Sequence, residues 1–155
     1  VLDGHRVKEP HSDEVLKNYR ANVAKMVGAA QAAGIRVLLC TPTLIEEDAN
    51  SEGNRRLVMY CDAVRQIAAE KNCLLADLHG IFLQALARKP ADAQGNTITG
   101  DGVHMNPTGD WLMARGILKA LGVPQEKVQE LIAENKEAGM LYLSESGNAS
   151  AAALR

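Results

Sequence analysis

Ile35-Arg36-Val37-Leu38-Leu39-Cys40-Thr41-Pro42 is a short, nearly continuous apolar run closed by a proline. Such a run is expected of a strand covered on both faces in a parallel sheet. In front of it, from Asp13 to Ala33, Leu16, Tyr19, Val23, Met26, Val27 and Ala30 recur at three- and four-residue spacing. That periodicity predicts an amphipathic helix, with Ser12 as its cap and Gly34 as its left-handed stop. Behind the strand, Thr43 to Gly53 is a polar, acidic loop, and a second helix is predicted from about Asn54 to Lys71. Its stripe is Leu57, Tyr60, Cys61, Val64, Ile67 and Ala68, and Asn72 ends it. Cys73 to Leu78 then repeats the buried-strand pattern. Strand, helix and strand make a βαβ unit with a right-handed crossover, so the fold class is α/β with a parallel sheet.

Further out, Gly80 to Arg88 reads as a short helix stopped by Pro90, with Asp77 placed to cap it. Pro107 to Leu121 is predicted as a helix with Leu112, Met113, Ile117, Leu118 and Leu121 facing inward, ended by Gly122-Val123-Pro124. Gln125 to Glu137 forms one more amphipathic helix around Val128, Leu131 and Ile132. Trp111 and Tyr60 are assigned to core packing. Val1 to His11 reads as a loop holding two solvated histidines, His5 and His11, and Ser144 to Leu154 as a mobile tail. Two parallel strands alone leave two unpaired edges, so this layout asks for more strands than these residues supply.

With 155 residues, 46% of them hydrophobic, the chain is the size of one globular domain. Its formal net charge of -2 and the lack of a basic cluster argue against a broad nucleic-acid surface. No apolar run approaches the ~20 residues of a membrane span. Cys40, Cys61 and Cys73 lie in apolar runs without metal-ligand spacing and read as structural thiols. The chain opens at Val1, without a methionine or a leading strand, which is expected of a piece of a longer protein. Its compartment is therefore open, since a signal peptide would lie upstream.

The chemistry concentrates in Ile98-Thr99-Gly100-Asp101-Gly102-Val103-His104-Met105-Asn106-Pro107-Thr108-Gly109-Asp110. Two residues in a glycine-containing turn separate Asp101 from His104, so the carboxylate can fold back onto one ring nitrogen and leave the other facing outward. That is a general base with its orienting acid. Asn106 and Pro107 look like the cap and first residue of a helix beginning directly behind the histidine. What this loop asks for is a serine or cysteine nucleophile.

Asp101-Gly102-Val103-His104, placed before a capped helix at the end of a βαβ run, resembles the last sequence block of the GDSL-type, or SGNH, ester hydrolases. The resemblance covers roughly Asp13 to Leu121. It implies the C-terminal part of a flavodoxin-like three-layer sandwich with a parallel sheet, over residues 1–122, followed by a helical extension and tail over 123–155. In family terms His104 is the general base and Asp101 its orienting partner. The family's Gly-Asp-Ser, glycine and Gly-x-Asn-Asp blocks are absent, and none of Ser12, Ser51, Ser144, Ser146 or Ser150 follows a Gly-Asp pair. A loop like Val1 to His11 tends to follow the Gly-x-Asn-Asp block in relatives, which puts the missing blocks just upstream. Met105 stands where many members carry a proline.

The expectation is thus a serine ester hydrolase acting on a small-molecule ester, with no metal or organic cofactor. This chain brings the His-Asp half of the triad and is expected to be inactive alone, lacking nucleophile and oxyanion donors. One rival is a metal-dependent hydrolase built from Asp77, His79, Asp101 and His104, although their spacing lacks an HExxH-type logic. Another is a non-catalytic α/β module that binds a ligand or partner along the open sheet edge. Glu46, Glu47 and Asp48 read as a hydrated acidic loop, with a minor claim on the substrate rim.

Overall fold

The computed structural model describes residues 12–134, so Val1 to His11 and the tail lie outside the described residues. Their order is α1 (Asp13–Ala32), β1 (Leu38–Cys40), α2 (Glu52–Glu70), β2 (Leu74–Ala76), α3 (Leu78–Leu86), α4 (Pro107–Ala120) and α5 (Gln125–Glu134). The strands pair in parallel, Leu38 with Leu74, Leu39 with Leu75 and Cys40 with Ala76, which makes β1-α2-β2 the expected βαβ unit. The α/β class read from the sequence is the one observed. Among the described residues, no helix is long and apolar enough to cross a membrane.

Capping sets the helix boundaries. The Ser12 hydroxyl accepts from Val15 N and starts α1, while Gly34, at φ +76°, turns the chain out of it. Ser51 does the same for Asn54 N, so α2 begins two residues earlier than its apolar stripe suggests. Asp77 accepts from Gly80 N and starts α3 at Leu78. The α2 stripe is buried throughout, from Leu57 to Ala68. One side of α2 packs on β1 and β2, and α1 lies against another, where Tyr19 meets Tyr60 edge-on at 5.0 Å between ring centroids.

The strands themselves depart from expectation. Each has only three residues; Leu38 and Leu39 are half-buried, and Cys40 and Leu74 are exposed. Coverage is incomplete: among the described elements α2 packs on both strands, while α4 packs on β2. Cys40 is therefore not a buried structural thiol; Cys61 is, and Cys73 is half-buried. Leu121 also faces solvent rather than the core, since it follows the last turn of α4.

Apolar packing continues beyond the strand ends. Leu44, Phe82, Ala85, Ile98 and Leu112 form a cluster, lined by Ile81, Leu86, Met105, Trp111 and Met113. Here α3 and α4 pack on each other, and α5 adds Val128 against α4. Gly109, in the first turn of α4, sits so close to the loop before it that a Cβ would run into the Ile98 carbonyl oxygen and meet Met105 Sδ at 2.9 Å. That contact sets the start of α4 directly on the loop carrying Asp101 and His104.

Candidate active site

The loop between α3 and α4 is closed on itself before it presents its side chains. Thr99 and Met105 form an isolated antiparallel bridge: Gly100 N donates to His104 O at 2.8 Å, and Asn106 N to Ile98 O at 3.3 Å. Asn106 caps α4 as expected, its Oδ1 accepting from Thr108 N and Gly109 N. Its Nδ2 also donates to Thr97 O and Thr99 O, so one amide ties the helix start to the loop entrance.

Inside this closed turn, Asp101 Oδ1 accepts from Val103 N at 3.0 Å and His104 N at 2.8 Å. Oδ2 lies 2.7 Å from His104 Nδ1. The structure therefore brings the two site residues together as the spacing implies. Those contacts, the His104 ring bond first and the His104 and Val103 amides after it, hold the Asp101 carboxyl well below the usual carboxylate range. An ionised carboxylate only accepts hydrogen bonds, so in the neutral ring the proton sits on Nδ1 and Nε2 keeps a lone pair. The His104 side chain is 84% exposed, which leaves Nε2 open to a reacting group.

The loop after β1 carries more of the site than its acidic composition implies. Glu47 is no part of a hydrated surface: its side chain is 3% exposed. Oε1 accepts from Ile98 N at 2.8 Å, Thr99 N at 2.7 Å and Thr99 Oγ1 at 2.8 Å. Oε2 accepts from Thr97 N at 2.7 Å and Thr97 Oγ1 at 3.0 Å, with Lys89 Nζ 3.7 Å away. Burial by itself would push this carboxyl up, but the donors from Thr97, Ile98 and Thr99 outweigh it and hold it below its ordinary value. Asn54, also buried, donates to Glu46 O and Asp48 O and accepts from Ile45 N, which fixes the path of the loop. A carboxylate between two others in a polar run looks solvated in sequence. Its donors lie on the far side of α2, β2 and α3, and no local pattern announces them.

Asp77 and His79 belong to a separate structural knot. The Asp77 carboxylate receives Arg65 Nε at 3.2 Å and Arg65 Nη2 at 2.8 Å and 3.0 Å, along with the Thr41 hydroxyl. Burial opposes its ionisation, but Arg65, the Gly80 amide and Thr41 together hold the carboxyl low. His79 is buried, with Nδ1 2.6 Å from Thr43 O and its backbone N–H on Thr41 Oγ1. Its Nε2 has no partner among the described residues. Thus Asp77 caps α3, and the four residues of the metal reading split into two pairs with different jobs. Among the described residues, no group of three or more His, Cys, Asp or Glu is gathered to hold a metal ion.

With this geometry in view, the comparisons agree on a family. Residues 6–112 match the model of the GDSL-like Lipase/Acylhydrolase family, and the chain belongs to that family. It is 28% identical over 116 residues to an acetylxylan esterase of Geobacillus stearothermophilus, a match covering 75% of this chain and 50% of that protein. The chain therefore spans about half the length of that curated relative. Among solved structures, it resembles the acetyl xylan esterase AlAXEase with a TM-score of 0.65 and 28% identity, over 75% of this chain and 60% of the other. A catalytic serine-to-alanine mutant of Axe2, the acetylxylan esterase from Geobacillus stearothermophilus, matches at 0.62 and 27%, over 70% and 48%. LAE5, an alpha/beta hydrolase enzyme from the metagenome of Lake Arreo, Spain, matches at 0.61 and 26%, over 79% and 51%.

Proposed function

We propose that Asp101 and His104 are the acid-base half of a serine ester hydrolase whose acyl group is acetyl. The observation that carries this reading is the 2.7 Å contact of His104 Nδ1 with Asp101, which leaves Nε2 exposed. In the reaction, a serine Oγ attacks the ester carbonyl while Nε2 takes its proton. The resulting imidazolium is held by Asp101 and returns the proton to the departing alcohol oxygen. Water then repeats the sequence on the acyl-enzyme and releases the acid. The acetylxylan esterases among the relatives make acetylated carbohydrate the substrate class to test first.

The nucleophile has no candidate among the described serines. Ser12 and Ser51 are both occupied as helix caps, and Ser51 Oγ also donates to Ile45 O. This chain thus supplies the base and its orienting acid, while the serine and oxyanion donors come from a segment outside residues 12–134. The test is release of p-nitrophenol from p-nitrophenyl acetate by the chain and by His104→Ala. The expected result is no burst above the His104→Ala control. Robust His104-dependent turnover by the chain itself would overturn the half-site reading.

A further inference from the structure

We propose that Glu47 is a positioning residue for the Asp101–His104 pair, acting through the backbone of Thr97 to Thr99 rather than on substrate. The inference rests on that pair being the acid-base couple. Five donors from three consecutive residues converge on the two oxygens of one buried carboxylate. Three are backbone amides just ahead of Asp101, which a partner-free burial would leave costly.

From there the order passes on in two bonded steps. The Thr99 hydroxyl, which donates to Glu47 Oε1, accepts from Gly102 N at 3.1 Å, in the middle of the Asp-x-x-His turn. Thr99 is also one side of the bridge to Met105, directly after His104. The neighbouring residue grips the same turn from the other side: Glu46 N donates to Gly102 O at 2.6 Å. Glu46 reaches it in a left-handed conformation, φ 64°, and Gly102 itself stands at φ 91°. A Cβ on Gly102 would meet Glu46 Cα at 3.4 Å, so the two loops are seated backbone against backbone. Lys89, which donates to Gly95 O at 2.6 Å, brings the remaining charge close to Glu47 and fastens the approach to Thr97. Both gripping residues come from the loop after β1, so this loop, and not the acid-base turn alone, sets where the imidazole stands.

The chemistry demands a carboxylate. A glutamine has the same shape, but it replaces one acceptor oxygen with an NH2 group that would face Thr97 N–H or Ile98 and Thr99 N–H donor to donor. Glu47→Gln is therefore the sharp substitution, and Glu47→Asp, which keeps the charge, is the conservative one. The readout is the tautomer of His104, followed in 15N-labelled chain by long-range proton-nitrogen spectra and assigned with His104→Ala. The unaltered chain should show Nδ1–H as the dominant form. In Glu47→Gln this preference should be lost, with Nε2–H becoming the larger fraction and the amides of Gly102 to His104 exchanging at least about tenfold faster. Glu47→Asp should restore part of the preference.

Gly116→Ala is the stability control, because its Cβ would press on Leu78 Cδ2 and Ile81 Cδ1, away from this turn. It should lower the melting temperature with the His104 tautomer unchanged. If Glu47→Gln does not fold, Thr99→Val decides, since it removes the hydroxyl that links Glu47 to Gly102 and should shift the tautomer in the same direction. An unchanged tautomer in whichever variant folds overturns the proposal, whatever the esterase assay gives. A shifted tautomer beside a failed hydrolase reading leaves Glu47 in its positioning role and removes only the reaction assigned to the pair.

Discussion

The sheet and the loops beyond its carboxyl ends are held together by different forces. In the sheet, three residues of β1 pair with three of β2, and Cys40 and Leu74 stay exposed. Beyond it, Leu44, Phe82, Ile98 and Leu112 close an apolar cluster. In the same loops, Glu47, Asn54 and Asn106 satisfy backbone groups of both. The sheet relies on surface area that the described residues only partly provide, whereas the loops rely on polar partners they provide for each other. The Asp101–His104 pair sits on the second kind of structure. Its geometry can therefore be set by these loops even though the sheet has only two strands among the described residues.

The strongest test of this difference is a pair of truncations. Phe82 is fully buried at the loop end, and Phe82→Ala should cost about 3–5 kcal/mol by loss of burial and the cavity left behind. Leu39 is half-buried in the sheet, and Leu39→Ala should cost about 1 kcal/mol, a fraction of the full burial value. Urea denaturation of both variants measures the contrast. Equal losses would mean that the sheet carries as much of the stability as the loop end, and would remove the contrast.

Much of this was legible in the residues themselves. Periodicity located both strands and the helices around them, and the cap residues Ser12 and Asn106 act as their chemistry suggests. The Asp101–His104 contact was legible because it is local: its two partners stand three positions apart in one turn. What escaped was non-local. The apolar letters of Leu38 to Cys40 announce burial without saying what does the burying, and the described helices leave Cys40 uncovered. Glu47 reads as one acid among three until the fold carries Thr97 to Thr99 onto it. The same distance hid the difference between Asp77, spent on Arg65 and a helix cap, and Asp101, spent on an imidazole.

Acid should separate the two regions next. The folded Glu47 carboxyl lies below its ordinary value, so its contribution to stability is fully present above the unfolded glutamate value of about 4.3. That contribution is lost as pH falls through the lower folded value. In a proton-nitrogen titration, the Thr97, Ile98 and Thr99 amides should therefore move together below about pH 4.3, when their acceptor is protonated. The paired amides of Leu74 and Ala76, with no carboxylate acceptor, should hold their positions in the same range. Simultaneous movement of both sets would mean one cooperative acid unfolding and no separate loop network.

The smallest effect probes the sheet through its thiols. Cys40 and Cys61 lie on neighbouring elements, yet one is exposed and the other has no accessible surface. Burial pushes the Cys61 thiol up to about 12, so it lacks both the thiolate and the access that a disulfide reagent needs. Partial desolvation raises the Cys40 thiol too, which slows its reaction at neutral pH without blocking it. With Ellman's reagent, Cys40 should label first in the folded chain, and Cys61 only on unfolding. Cys40→Ser should change stability by no more than about 0.5 kcal/mol, as for other exposed positions. A larger loss, or a Cys40 as protected as Cys61, would show that β1 is covered after all.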